Sequence, residues 1–286
     1  MKKRIIQYGG ICTLIMCSII ICYIHYFNQW KHIWERCPQI PLYTINQYED
    51  DTLRVGMIGD SWAYLHDVIQ MDTFLSRHLA DMLHKPVKVV SKGKNGEITR
   101  EIYKYMFTYG ENGTRCFFDN GLDYCIISAG INDAVRNLGV KQYAYHYRLI
   151  IDFLNSNSIC PIVIEIPDAN IWDSQFNKPY KEIAVDYVRS IMVGSPMYNC
   201  AKYRDELKNT LINDSLLKDI IYIPLSKWNG TQLSIRNDLS LSDHIHLNLK
   251  GYEKLDSAII YEIIKREQGK LHHFREEITH DSLKSF

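Results

Sequence analysis

Leu53-Arg54-Val55-Gly56-Met57-Ile58, followed at once by Gly59-Asp60-Ser61-Trp62, is the stretch from which the fold is read. A short, mostly apolar run that stops at Gly-Asp-Ser has the length and flank of a buried strand ending in a tight turn. Such a turn presents the Ser61 hydroxyl above the edge of a sheet. Taken alone the signal is weak, because Gly-Asp-Ser is ordinary turn chemistry.

Working outward, Val87 to Val90, Tyr124 to Ser128, Ile162 to Ile166 and Ile220 to Ile223 are further short apolar runs, which predicts five strands in all. Val68 to Leu83, Glu97 to Phe107, Lys141 to Leu154, Lys181 to Met192, Tyr203 to Leu211 and Gly251 to Lys265 carry helical periodicity between and after them. Strands separated by helices imply a parallel sheet covered on both faces, a three-layer α/β/α sandwich with a five-stranded parallel sheet of flavodoxin-like type. Sites in such sheets lie outside the carboxyl ends of the strands, so the residues that follow strands are the ones that matter.

The second strand leads into Ser91-Lys92-Gly93-Lys94-Asn95-Gly96-Glu97, where Gly96 opens a helix and lets a backbone N–H approach a bound oxygen, or is a loop glycine. The third leads into Ala129-Gly130-Ile131-Asn132-Asp133, which places a side-chain amide, or an ordinary turn asparagine, at the same rim. Near the C-terminus, Ser242-Asp243-His244-Ile245-His246-Leu247-Asn248 puts a carboxylate three residues before an imidazole on one short loop. Together the four segments supply a nucleophile, a base with its orienting carboxylate, and uncharged donors for an oxyanion, the requirements of acyl transfer.

These segments resemble the four sequence blocks of the SGNH hydrolase family, the GDSL-like esterases and lipases, over about Arg54 to Glu267. Gly59-Asp60-Ser61 matches the first block, Gly96 the second, Gly130-x-Asn132-Asp133 the third and Asp243-x-x-His246 the last. Two positions depart from the pattern: Trp62 replaces the leucine of the family name, and Glu97 stands where aspartate is frequent. The resemblance implies that Ser61 is the nucleophile, His246 the general base and then acid, and Asp243 the residue that fixes its tautomer. It further implies an oxyanion hole from the backbone N–H groups of Ser61 and Gly96 and the Asn132 amide, with Asp60, Gly130 and Asp133 in support.

His244 is a rival base, since His244-Ile245-His246 also looks like a pair of metal ligands, but only His246 has a carboxylate at the family spacing. No third ligand cluster accompanies it, so no metal or other cofactor is expected. The ordinary α/β-hydrolase elbow is disfavoured because position 63 is Ala where Gly-x-Ser-x-Gly needs glycine. His66 and Asp67 just after the nucleophile, and Arg136 and Asn137 after the third block, are weaker pocket candidates that a helical first turn or an exposed loop explains as well.

At the N-terminus, Lys2, Lys3 and Arg4 precede an apolar stretch from Ile5 to Phe27 interrupted chiefly by Gln7 and His25, close to the ~20 residues that span a bilayer. The bulky residues of Cys22 to Gln29 offer no small-x-small cleavage site, and Leu14-Ile15-Met16-Cys17 has a bulky Met16 where a lipobox wants a small residue. An uncleaved signal anchor over 1–28 is therefore expected, with the cationic end cytoplasmic and the rest periplasmic or extracellular. A juxtamembrane linker over 29–51, a hydrolase domain over 52–267 and a polar tail over 268–286 complete the expected organisation.

Thirty-three basic residues balance thirty-three acidic ones with no basic run, which argues against nucleic acid as a partner. Of the eight cysteines, Cys12, Cys17 and Cys22 fall in the anchor and Cys125 and Cys160 in strand-like runs. Only Cys37, Cys116 and Cys200 are left as disulfide candidates, an odd number with no Cys-x-x-Cys spacing, so neither a disulfide framework nor a zinc site is indicated. The expected activity is removal of a short acyl group, acetyl first, from a carbohydrate or similar polar substrate. The alternatives are a membrane-anchored glycan O-acyltransferase, a lipase or thioesterase, and a catalytically silent glycan-binding protein.

Overall fold

The computed structural model describes residues 10–25, 35–169, 179–194 and 197–284, with side chains described as far as 269. In chain order the elements are α1 (10–25), β1 (Leu53–Gly59), α2 (Ser61–Val68), α3 (Met71–Leu83), β2 (Val87–Gly93), α4 (Thr99–Tyr105), α5 (Arg115–Phe118) and β3 (Tyr124–Ser128). There follow α6 (Ile131–Val135), α7 (Val140–Ser156), β4 (Cys160–Ile164), α8 (Tyr180–Val193), α9 (Cys200–Asn213), β5 (Ile221–Ile223) and α10 (Leu249–Lys284). The strands form one parallel sheet in the order β2-β1-β3-β4-β5.

The order explains the sequence pattern. β1 and β3 are central strands, and every residue of β3 and all but Arg54 of β1 are buried, so both read as continuous apolar runs. β2 lies at an edge and alternates between half-buried and exposed along Val87 to Val90. Gly59 is glycine because a Cβ there would stand 2.1 Å from the Ser128 carbonyl oxygen of β3. The strand order reverses beside β1, so the turn after β1 opens at the switch point of the sheet.

Each predicted strand and helix has a counterpart, with differences that have physical causes. The helix expected over Val68 to Leu83 starts at Met71, because Gln70 turns left-handed (φ 61°), and Val68 instead ends α2, a separate helix outside the expected elements. That break sets Met71, Leu75 and Leu79 into the core while α2 keeps its own direction from Ser61. β4 begins at Cys160 rather than Ile162, where its N–H donates to the Asp123 carbonyl at 2.8 Å, and ends at Ile164, opposite the last residue of the three-residue β5. α10 does not stop near Lys265: it runs 36 residues to Lys284, so most of the stretch read as a polar tail continues the helix.

The segment read as a linker lies, over 35–51, against the domain. The Cys37 N–H donates to His146 Nε2, that of Ile40 to the Tyr103 hydroxyl and that of Ile45 to Asn157 Oδ1, and Cys37 and Ile45 are buried. All eight cysteines are free. α1 carries exposed apolar side chains, among them Leu14, Ile15 and Ile21. Among the described residues no helix is long and apolar enough to cross a membrane. Residues 1–9 and 26–28 of the expected anchor, and 29–34 of the expected linker, lie outside the described residues.

Candidate active site

Three strand ends and the loop before α10 meet at the switch point. Asp60 caps α2: its carboxylate accepts from the Trp62 N–H at 3.0 Å and from the Ser128 hydroxyl at 3.0 Å, and Ser61 becomes the first residue of the helix. Burial pushes the Asp60 carboxyl up to about 6, against the pull of those same hydrogen bonds.

The loop before α10 is held by an isolated antiparallel bridge between Ser240 and Leu247 and by the Leu241 N–H donating to the His246 carbonyl at 2.7 Å. Asp243 Oδ1 accepts from the N–H groups of Ile245 and His246, both at 3.0 Å, with His244 left-handed (φ 56°) at the bend. Asp243 Oδ2 lies 2.5 Å from His246 Nδ1, and His246 Nε2 lies 2.9 Å from Ser61 Oγ. Partial burial raises the Asp243 carboxyl, but the hydrogen bonds from the His246 ring and the two N–H groups outweigh it and hold it below the usual carboxylate range. A carboxylate only accepts, so His246 carries its proton on Nδ1 and turns the Nε2 lone pair toward the Ser61 hydroxyl.

Gly96 and Asn132 line the same cavity of about 440 Å³ as Ser61, Asp243 and His246. Gly96 is left-handed (φ 73°), a backbone that glycine alone adopts without strain. One N–H of the Asn132 amide donates to the Glu97 carbonyl at 2.9 Å, which ties the turn after β3 to the turn after β2. Asp133 is buried beneath and accepts from the Thr99 N–H (3.0 Å) and hydroxyl (2.9 Å), and burial raises its carboxyl to about 7. Gly130 (φ 123°) packs against the Tyr143 ring, which a Cβ would meet at 2.7 Å.

The weaker candidates fall elsewhere. His244 points toward Ser240, 3.5 Å from its hydroxyl, and does not line the cavity. Among the described residues no group of three or more His, Cys, Asp or Glu is placed to hold a metal. Asp67 is exposed, and Asn137 is buried in a loop clamp that accepts from the Tyr198 N–H at 2.8 Å. Arg136 is exposed, its guanidinium 3.3 Å from where a Cβ on Gly96 would stand.

His66 is fully buried, away from the cavity, with Nδ1 2.8 Å from Asp72 and Nε2 3.1 Å from Asp256. Burial lowers its pKa, but the hydrogen bonds to Asp256 and Asp72 win and raise it to about 9. The imidazolium thereby joins α2 to α3 and α10, and the Ser91 hydroxyl of β2 donates to Asp72 in the same cluster.

Trp62 carries a contact that its sequence position did not disclose. Its indole N–H donates to the Ile245 carbonyl at 3.0 Å, the Tyr252 hydroxyl donates to the Trp62 carbonyl at 2.9 Å, and the ring packs edge-on against Trp228. The residue after Ser61 is thus bonded to the residue before His246. The one available signal was the departure from leucine.

Solved structures match this arrangement of elements. A psychrotrophic esterase, EstA, from Pseudoalteromonas sp. is 15% identical over 77% of this chain and 100% of its own, with a TM-score of 0.50. TesA is 13% identical over 72% and 95%, also at 0.50. A GDSL-like lipase from Bacteroides thetaiotaomicron is 13% identical over 75% and 88%, at 0.49. No family model and no curated protein matches the sequence. At such identities the likeness is one of architecture: the chain has the fold of the SGNH, or GDSL-like, hydrolases.

Proposed function

We propose that the protein is a serine ester hydrolase that removes a short acyl group, acetyl first, from a carbohydrate or similar polar substrate through an acyl-enzyme on Ser61. The observation that carries the reading is the unbroken hydrogen-bonded chain from Ser61 Oγ through His246 to Asp243 at the wall of a cavity.

In this reading Ser61 Oγ attacks the ester carbonyl as His246 Nε2 takes its proton, and the Asp243 carboxylate stabilises the imidazolium. The carbonyl π electrons move to oxygen, and that oxyanion is held by the Ser61 and Gly96 N–H groups and the Asn132 amide, each worth ~3 kcal/mol in the transition state. The N-terminal end of α2, at which Ser61 sits, adds a favourable partial positive charge. Collapse expels the alkoxide, which takes the proton from His246, and a water molecule repeats the sequence on the acyl-enzyme to release the acid.

The full-length protein and Ser61→Ala are compared for labelling by a fluorophosphonate, acetate release from acetylated sugars and acetyl transfer to an added glycan. Labelling and release that both vanish in Ser61→Ala support the esterase. Transfer exceeding release favours an O-acyltransferase, and activity confined to long-chain or thioesters a lipase or thioesterase. No labelling of the wild type overturns the enzyme reading in favour of a silent binding protein. The Pseudoalteromonas esterase was solved inhibited by monoethylphosphonate, a reagent of the same chemical kind.

The membrane anchor belongs to the same proposal, supported by the cationic start of the chain and the helical, apolar, exposed stretch 10–25. Sedimentation with membranes after alkaline wash, and release by detergent alone, are the expected results. A protein that stays in the supernatant refutes the anchor.

A further inference from the structure

We propose that a second cavity, beside the one holding Ser61, is the subsite for the alcohol half of the ester, and that it takes a neutral hydroxylated ring such as a sugar. This inference rests on the ester-hydrolase reading and names its substrate class.

The second cavity, of about 420 Å³, lies beyond the carboxyl ends of β1 and β2 and is lined by Tyr64, Lys92, Lys94, Asn95, Tyr105 and Glu111 among others. Asn95 lines both cavities, and Gly59, two residues before Ser61, lines the second. Ser61 and Tyr64 stand three residues apart on α2, hence on one helical face. An ester whose carbonyl carbon lies at Ser61 Oγ therefore has its alcohol half within reach of this space.

The two cavities differ in chemistry. Apart from the reacting groups and their donors, the first is walled by Trp62, Leu65, Ile131, Val135, Leu241 and Ile245, which suits the hydrocarbon of an acyl group. The second offers two phenol rings, two amides with Asn95 and Asn112, a carboxylate and two ammonium groups, which suits ring faces and hydroxyls. Tyr64 is 39% exposed, and the Tyr105 ring is fixed by the Lys94 ammonium 5.3 Å from its centroid.

The charges in and beside the second cavity balance in number, two ammonium groups (Lys92 and Lys94) against the Glu97 and Glu111 carboxylates. Lys94 Nζ is 2.8 Å from Glu97 and donates to the Tyr105 hydroxyl at 3.1 Å, Lys92 Nζ donates to the Gly113 carbonyl at 2.6 Å, and Glu111 brings a further carboxylate. An anionic ring finds no net countercharge there, whereas a neutral polyol uses the donors and acceptors without desolvating a new charge. Binding energy gained there, remote from the carbonyl, is available to position the ester.

The test compares kcat/KM for an acetylated neutral disaccharide, an acetylated uronic acid and ethyl acetate, whose alcohol is too short to reach the second cavity. Tyr64→Ala and, as an independent variant, Glu111→Gln are expected to lower the disaccharide-to-ethyl-acetate ratio, Tyr64→Ala by about tenfold, with Tyr64→Phe retaining it. Val135→Phe, in the first cavity, is expected instead to change the preference between acetate and butyrate, whatever the alcohol. An unchanged ratio in both second-cavity variants, or a wild-type preference for the uronic acid, overturns the subsite while ester hydrolysis stands. Failure on all three esters with no fluorophosphonate labelling overturns the hydrolase reading and the subsite with it.

Discussion

Replacing Trp62 by Phe removes one N–H and part of one ring from the junction between the nucleophile helix and the histidine loop. The Ile245 carbonyl that accepts from the indole at 3.0 Å belongs to a residue only 7% exposed, so it is left without a partner out of reach of bulk water. An orphaned buried acceptor costs about 1–3 kcal/mol, and the space vacated by the smaller ring adds about 1 kcal/mol. The sum, about 2–4 kcal/mol, corresponds to a fall in melting temperature of roughly 3–7 °C for a chain of this size. Because Ile245 precedes His246, release of that carbonyl also loosens the 2.9 Å approach of Nε2 to Ser61 Oγ. Displacements of that order cost about tenfold to a hundredfold in turnover. Thermal melts and kcat and KM on an acetate ester are the assays, with kcat falling and KM held. Trp62→Leu, the residue of the family pattern, is expected to behave like Phe, since it too lacks the donor. A Phe variant that melts within about 2 °C of the wild type and keeps its kcat refutes the argument that this bond fixes the loop.

Asp243→Asn is expected to cost about 10⁴ in kcat by offering the His246 ring the wrong tautomeric partner, with circular dichroism unchanged, and a loss under tenfold sinks the assigned role. Asn132→Ala should lower kcat by about 10² with little change in KM, the pattern of a donor used only in the transition state; a pure KM effect contradicts it. His66 is raised to about 9, above its ordinary value near 6.5, so its stabilising contribution is complete below pH 6.5 and lost as pH rises through 9. Melting temperature should therefore fall from pH 7 toward pH 9.5, and His66→Gln should be less stable at pH 7 and flatten that slope, whereas a parallel slope in the variant counts against the buried imidazolium. Gly59→Ala drives a Cβ to 2.1 Å from the Ser128 oxygen, and a loss of about 2–3 kcal/mol in chemical denaturation is expected.

Much of this molecule was legible before any coordinates. Apolar runs of four to six residues separated by amphipathic stretches gave a five-stranded parallel sheet, because a strand buried on both faces has to be apolar throughout. The residues at the strand ends were legible for a related reason. Gly59, Gly96 and Gly130 stand where backbones approach closely or turn left-handed, and Asp243 lies three residues from His246, a spacing that one loop closes on itself.

What stayed hidden depends on contacts between distant parts of the chain. Nothing local in Ser-Trp-Ala announces that the indole reaches a carbonyl 183 residues away, or that His66 is sealed between Asp72 and Asp256 rather than turned to the pocket. The helix from Ser61 to Val68 and the break at Gln70 stayed hidden because a single left-handed residue is chosen by how the two helices pack. The sequence by itself determined the five strands, the longer helices after them and the candidacy of Ser61, Asp243 and His246, since periodicity and short-range spacing are properties of the chain alone. Only the tertiary structure decided their separations, the tautomer of His246 and the adjacency of two cavities of which the second is the more polar, because those follow from side chains brought together across the sheet by packing.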